Sequence, residues 1–88
     1  MVTINEVWRR IAAHEGQTFT QIRGGVFTYE VEGAVLRPSR TDYNLSIATF
    51  EKALLRVPLT NTTDVQDLRG PSYLFAILMD ERIRQDDW

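Results

Sequence analysis

The longest unbroken run of apolar residues covers residues 73–79 and lies inside a longer stretch, residues 71–85, with helical character. Pro71 suits the first turn of a helix, because its fixed φ matches the helix and its missing N–H would have no partner there. Leu, Ala and Met in the run are strong helix formers. Beyond the run, Asp80 stands four residues before Arg84, the spacing of a stabilising pair on one helix face. The pattern predicts a central helix over residues 71–85, whose apolar first turns are covered by the rest of the chain.

A second helical pattern stands at the start of the chain. Apolar residues recur there every three to four positions, at Ile4, Val7, Trp8, Ile11 and Ala12. Thr3 and Glu6 have the spacing of a capping box, in which each side chain bonds to the other residue's backbone N–H. Gly16 is a typical left-handed stop for a helix. We therefore predict a helix that begins after Thr3 and ends before Gly16.

Between residues 17 and 38 the pattern changes to that of strands. Residues 18–23 are rich in β-branched and aromatic side chains, and Gly24-Gly25 is a hairpin signal. Residues 26–32 alternate, with Phe27, Tyr29 and Val31 on one face. A turn at Gly33 and a short strand over residues 34–37, ended by Pro38, complete the pattern. Connections this short predict a three-stranded antiparallel meander.

A polar loop over residues 39–44 precedes a second helix. Ser46 is its predicted N-cap, and Leu45 and Phe50 have the spacing of a hydrophobic staple. The inward stripe of this helix is predicted to be Ile47, Phe50, Leu54 and Val57, with Pro58 closing it. Residues 59–70 read as a linker that contains one short helical turn capped by Thr63.

The elements together predict an α+β fold of order α-β-β-β-α-α, with helices packed on one face of the three-stranded sheet and residues 1–88 forming one domain. The order of the first five elements resembles that of the double-stranded-RNA-binding domain. That family opens its second helix with a basic Lys-Lys-x-Ala-Lys stretch, whereas residues 45–49 here are Leu-Ser-Ile-Ala-Thr. The resemblance is therefore one of topology and does not include the RNA-binding residues.

Composition limits the class of protein. The chain has 88 residues, no cysteine and a net charge of −2, so disulfides and thiolate zinc sites are ruled out. It has no signal-peptide pattern at its start and no apolar stretch long enough to span a bilayer, so we expect a cytoplasmic protein without a membrane partner. His14 is the single histidine, and Gly24-Gly25 lacks the Lys-Ser/Thr of a phosphate loop. These features favour a non-enzymatic protein with no cofactor and no metal.

The polar cluster that most suggests a binding function lies between the predicted third strand and the predicted second helix. It consists of Arg37, Ser39, Arg40, Thr41, Tyr43 and Asn44. Arginines with hydroxyl and amide donors suit phosphate oxygens, so we predict a nucleic-acid-binding segment formed by Arg23, Arg37, Arg40, Asn44 and Lys52. Such residues are also typical of a turn and cap, with the arginines paired to Glu30 or Asp42. Both interpretations stay open at this point.

The last third of the chain supports a different function. Residues 59–88 carry three basic and six acidic side chains, and the final residue is Trp88. A terminal tryptophan can fold back on the core or anchor a partner. The alternative prediction is therefore a protein-interaction or inhibitory module, for instance in a bacterial, phage or defence setting, that uses the last helix with Arg84 and Trp88.

Overall fold

The chain folds into four α-helices, one 3₁₀ helix and five short strands within residues 2–88, the part that the computed structural model describes. In chain order these are α1 (Ile4–Ala13), β1 (Phe19–Thr20), β2 (Val26–Phe27), β3 (Tyr29–Glu32), β4 (Val35–Pro38), β5 (Leu45–Ser46), α2 (Ile47–Leu54), the 3₁₀ helix (Thr62–Val65), α3 (Pro71–Leu78) and α4 (Glu81–Arg84). The α+β class and the three-stranded antiparallel sheet are confirmed. No helix within residues 2–88 has the length and apolar character needed to cross a membrane.

The strands form two separate sheets. β1 pairs with β2, while β3, β4 and β5 form the three-stranded antiparallel sheet with β4 in the middle. The predicted strand over residues 26–32 is thus divided at Thr28 between the two sheets. The backbone N–H of Thr28 donates to the Ser39 hydroxyl oxygen at 3.0 Å, and the Ser39 N–H donates to the Thr28 carbonyl at 2.9 Å. These two bonds join Thr28, which lies between β2 and β3, to the residue that follows β4.

The composition of the three-stranded sheet also differs from the prediction. Residues 18–23, expected as its first strand, supply only β1 of the smaller sheet. Its third strand is β5, in which Leu45 pairs with Leu36 immediately before α2 begins. The likeness in element order to the double-stranded-RNA-binding domain therefore holds only as helix, strands, helix.

One face of the larger sheet is buried and the other is exposed, as the alternation predicts. Tyr29, Leu36 and Leu45 are buried in the core, while Glu30 and Arg37 are exposed. The Tyr29 hydroxyl donates to the Ile11 carbonyl at 2.5 Å, which ties the sheet to α1. Burial raises the pKa of that hydroxyl well above its usual value, so it stays protonated and able to donate.

Helix α3 lies at the centre of the core. Tyr73, Leu74, Ala76, Ile77 and Leu78 are all buried. Gly70 precedes the helix with φ of +68°, and a Cβ there would lie 2.9 Å from Cδ2 of Leu45. Both conditions require glycine at this start, and Pro71 follows in the first turn as predicted.

The predicted helix over residues 71–85 is wrong beyond Leu78, because the chain breaks there and starts again as α4. Asp80 is extended, and its carboxylate accepts the Arg82 backbone N–H at 2.9 Å. The acid therefore caps a new helix instead of pairing with Arg84. Aspartate side chains often bond a nearby backbone N–H in this way, which favours a helix start over a continuous helix.

Two of the three predicted N-caps are confirmed. The Thr3 hydroxyl accepts the Glu6 N–H at 3.2 Å, and the Ser46 hydroxyl accepts the Thr49 N–H at 3.3 Å. The 3₁₀ helix is capped by Asn61 and not by Thr63, as its bounds show. The Asp64 carboxylate bonds back to the Asn61 N–H, so these two residues complete a capping box that the sequence interpretation missed.

Candidate functional site

The structure separates Arg37 from the rest of the predicted arginine cluster. Arg37 lies on the exposed face of the sheet, opposite Glu30 in the strand register and in an ion pair with Glu32. Its charge is therefore compensated by neighbouring carboxylates. Arg37 is thus paired with an acid, as the structural interpretation expects, but that acid is Glu32 and not Glu30 or Asp42.

Asn44 and Lys52 are exposed, and within residues 2–88 their side chains form no hydrogen bond to the other residues of the predicted cluster. Asn44 precedes β5, and Lys52 lies on α2. The positive charge of Lys52 acts on Asp67, whose pKa is held low mainly by its hydrogen bond from Arg56. Lys52 itself forms no ion pair within residues 2–88.

Arg40 lies against the first hairpin. Its Nη1 donates to Oε1 of Gln21 at 3.3 Å, and the Gln21 amide nitrogen donates to the Ser72 hydroxyl at 2.9 Å. A Cβ at Gly25 would meet the ends of the Arg40 and Gln21 side chains, which would have to move aside to make room for it. Gln21 therefore joins the loop over residues 39–44, the hairpin and the start of α3.

Arg23 is exposed on the same hairpin. The turn is closed by the Gln21 N–H, which donates to the Gly25 carbonyl at 2.6 Å, and the Gly24 N–H, which donates to Gln21 at 2.8 Å. The hairpin predicted from Gly24-Gly25 is confirmed. A shallow cavity of about 390 Å³ lies beside it, lined by Gln21, Ile22, Arg23, Thr62, Gln66, Pro71 and Ser72.

Arg69, in the segment that the sequence pattern predicts to be a linker, also lies in this region. Its Cζ lies 5.4 Å from the centre of the Tyr43 ring, and the Tyr43 ring stands edge-on to Tyr73 at 6.3 Å between centroids. Burial raises the pKa of Tyr73, and the positive charge of Arg40 acts in the opposite direction. The tyrosine pair therefore has Arg69 over the ring of Tyr43, and the charge of Arg40 acts on Tyr73. The sequence signal that could have identified Arg69 as a site residue is its position directly before Gly70-Pro71, where a helix starts.

We call this region the arginine surface, and it consists of Gln21, Arg23, Arg40, Tyr43, Arg69 and Ser72. Within residues 2–88, the side chains of its three arginines have no carboxylate oxygen within 4.0 Å. Five of the other six arginines are in ion pairs, at positions Arg9, Arg10, Arg37, Arg56 and Arg82. The arginine surface thus collects most of the arginine charge that the fold leaves uncompensated.

Trp88 and Arg84, the residues of the alternative prediction, are engaged within the fold. The indole N–H of Trp88 donates to the Leu78 carbonyl at 2.7 Å, and the half-buried ring packs against the core. Nε of Arg84 donates to the Trp88 carbonyl at 2.7 Å. Of the two possibilities for the terminal tryptophan, folding back is the one observed.

The described residues contain no set of three or more potential metal ligands. His14 ends α1, where its Nδ1 lies 2.8 Å from the Arg10 carbonyl oxygen, a local contact of a helix terminus. The contact that His14 makes is therefore one within its own helix end.

The groups of the arginine surface have a common chemistry. Guanidinium, carboxamide and hydroxyl groups donate hydrogen bonds to phosphate oxygens, and an aromatic ring or a guanidinium plane can stack on a base. A carboxylate-free set of three arginines is suited to polyanions. No protein-family model, curated protein or solved structure matches this chain at a significant level, so a function has to be argued from these side chains.

Proposed function

We propose that this protein is a small non-enzymatic binding module whose arginine surface contacts the phosphates of a nucleic acid. The single observation that carries the proposal is that Arg23 on the first hairpin, Arg40 bonded to that hairpin and Arg69 over a tyrosine ring all lack a carboxylate partner within residues 2–88. Arginines free of ion pairs can exchange water for phosphate oxygens without first breaking an internal contact.

Single-stranded nucleic acid is favoured over duplex. Arg69 is held over the ring of Tyr43, which leaves the outer side of its guanidinium available to a base. Unpaired bases stack on aromatic rings and on guanidinium planes, whereas a duplex hides those faces. The surface is also small, which suits a few nucleotides.

The overall charge of the protein limits the affinity that we expect for a nucleic acid. A net charge of −2 and a pI of about 5.3 oppose non-specific attraction, so binding depends on local contacts. We expect affinities in the micromolar range or weaker. Three phosphate contacts on a single strand correspond to a slope of about −2 in log affinity against log salt. A cytoplasmic location, expected from the sequence, is consistent with such a ligand.

The experiment is a fluorescence-anisotropy titration of a labelled mixed-sequence single-stranded oligonucleotide at several salt concentrations. Arg40→Ala and Arg69→Ala should each weaken binding and reduce the steepness of the salt dependence by about 0.7. Arg37→Ala is the matched control, because Arg37 is an exposed arginine already paired with Glu32. It should bind as the parent does.

Two results would contradict the proposal: a parent protein without salt-sensitive binding, or an equal loss in Arg37→Ala. The alternative function, a protein-interaction module using Arg84 and Trp88, has less support because both side chains are occupied within the fold.

A further inference from the structure

A second surface, independent of the arginine surface, is an open groove of about 670 Å³ between the start of α1, the end of α2 and the last residues of the chain. Its apolar lining includes Leu54, Leu55, Val57 and Trp88. None of its lining residues belongs to the arginine surface. A volume in this range is typical of clefts that bind a ligand or a few side chains of a partner.

The exposure of Leu55 in this groove is not explained by the packing of the domain itself. Leu55 is 81% exposed, against 46% for Ile22 and 53% for Val26, the other large apolar residues on the surface of the described chain. It stands just past the end of α2, whose buried residues are Phe50 and Ala53. Half-buried Leu54 and Val57 adjoin it in the groove. Together the three residues give one groove its apolar lining, at a place where an isolated domain gains nothing from it.

The charged residues of the groove are mostly acidic. Glu6, Asp86 and Asp87 line it, and the single cationic lining residue is Arg10. Arg10 is only 14% exposed and is already used, since it pairs with Asp87 at 2.5 Å and donates to the Ile83 carbonyl at 2.9 Å. Asp86 has no ion pair within residues 2–88, and Glu6 has only a loose one with Arg9 at 3.7 Å. The charge available to an occupant is therefore negative.

We propose that this groove binds a basic amphipathic segment of a partner protein. Apolar side chains of that segment would cover Leu54, Leu55 and Val57, and its lysines or arginines would pair with Glu6 and Asp86. Helices of this type commonly dock into apolar grooves through one face. The acidic rim repels a nucleic acid strand. It also opposes a symmetric dimer built on this groove, because such an interface would contain two copies of the same acidic rim.

The test uses the full chain, labelled with ¹⁵N, and two designed helical peptides with the same leucine face. One peptide carries lysines on its polar positions and the other carries glutamates. NMR titration with the lysine peptide should shift the amide signals of residues 54–57 and 86–88, and the glutamate peptide should produce no saturable shifts. Leu55→Ser should weaken binding of the lysine peptide about fivefold or more, and Asp86→Asn should weaken it to a smaller extent.

Val26→Ser is the matched control, since it removes an exposed apolar side chain that lies outside the groove. It should leave the peptide affinity unchanged. The proposal is overturned if neither peptide binds, if both bind alike, or if the shifts map to Glu30 and Glu32 instead of the groove. Sedimentation that shows a dimer dispersed by Leu55→Ser would assign the groove to a second copy of the chain and would equally reject the proposal.

Discussion

The guanidinium of Arg82 lies over the ring of Phe19, with 3.9 Å between Cζ and the ring centroid. The same group donates to the Thr18 carbonyl at 2.9 Å and forms a two-point contact with Asp80 at 2.8 Å for each bond. Asp80 in turn caps α4. One side chain therefore fastens the short helix α4 to the start of β1, an attachment that a helix of four residues could not provide by itself.

Arg82→Lys should lower the free energy of unfolding by about 1 kcal/mol, because lysine cannot form the planar two-point contact with Asp80 while lying over an aromatic ring. Urea denaturation measures the change. Arg9→Lys is the control, since the Arg9 side chain is 76% exposed and its ion pair is loose. Equal stability of the Arg82 variant and the parent would mean that the guanidinium adds nothing at this position beyond what a lysine ammonium supplies.

Acid sensitivity should decrease in Asp80→Asn. Hydrogen bonds from the Arg82 side chain and, to a smaller extent, its backbone N–H hold the pKa of Asp80 below its ordinary value. A carboxyl whose folded pKa is lowered stabilises the fold above its unfolded pKa, about 3.9, and that contribution is lost as the pH falls through the folded pKa.

Asparagine keeps the N-cap and removes the titrating charge. Thermal unfolding between pH 6 and pH 2 should therefore show a smaller loss of stability for the variant than for the parent. Some acid sensitivity should remain, because the pKa values of Asp64 and Asp67 are also lowered. Parallel stability curves for parent and variant would exclude this contribution of Asp80.

Leu78→Ala should destabilise the protein by about 2–5 kcal/mol, since it removes a fully buried side chain from the central helix and leaves a cavity. Chemical denaturation measures the loss. Leu55→Ala is the matched control at an exposed leucine and should change stability by less than about 0.5 kcal/mol. A loss that small at Leu78 would contradict the position of α3 at the centre of the core.

Gly70→Ala should cost about 1–2 kcal/mol, because an L-residue is strained at φ of +68° and its Cβ would press on Leu45. Gly33→Ala separates the two causes. Gly33 also has positive φ, at +61°, but no atom lies within 4 Å of a Cβ placed there. A larger loss at Gly70 than at Gly33 measures the contact with Leu45, and equal losses would show that only the backbone conformation matters.

Local features of the fold followed from the sequence by itself. The caps at Thr3 and Ser46 are bonds to residues three positions away, so the signal and its partner stand together in the chain. The alternation that buries Tyr29 and exposes Glu30 is likewise a property of consecutive residues. The break at Asp80 is also a local feature. Its capping signal competes with an i, i+4 pattern that predicts a longer helix, and the prediction of the longer helix is wrong.

Features that depend on distant partners were decided only by the tertiary structure. The second predicted strand is split at Thr28, a residue that bonds Ser39 across eleven positions. The arginine surface needs Arg69 to reach Tyr43, and Arg37 leaves it because β3 and β4 pair in a register that puts Arg37 beside Glu30 and Glu32. The sequence contains the arginines, but which of them keep a free charge depends on the acids that folding brings to each one, and those contacts follow from packing over the whole chain.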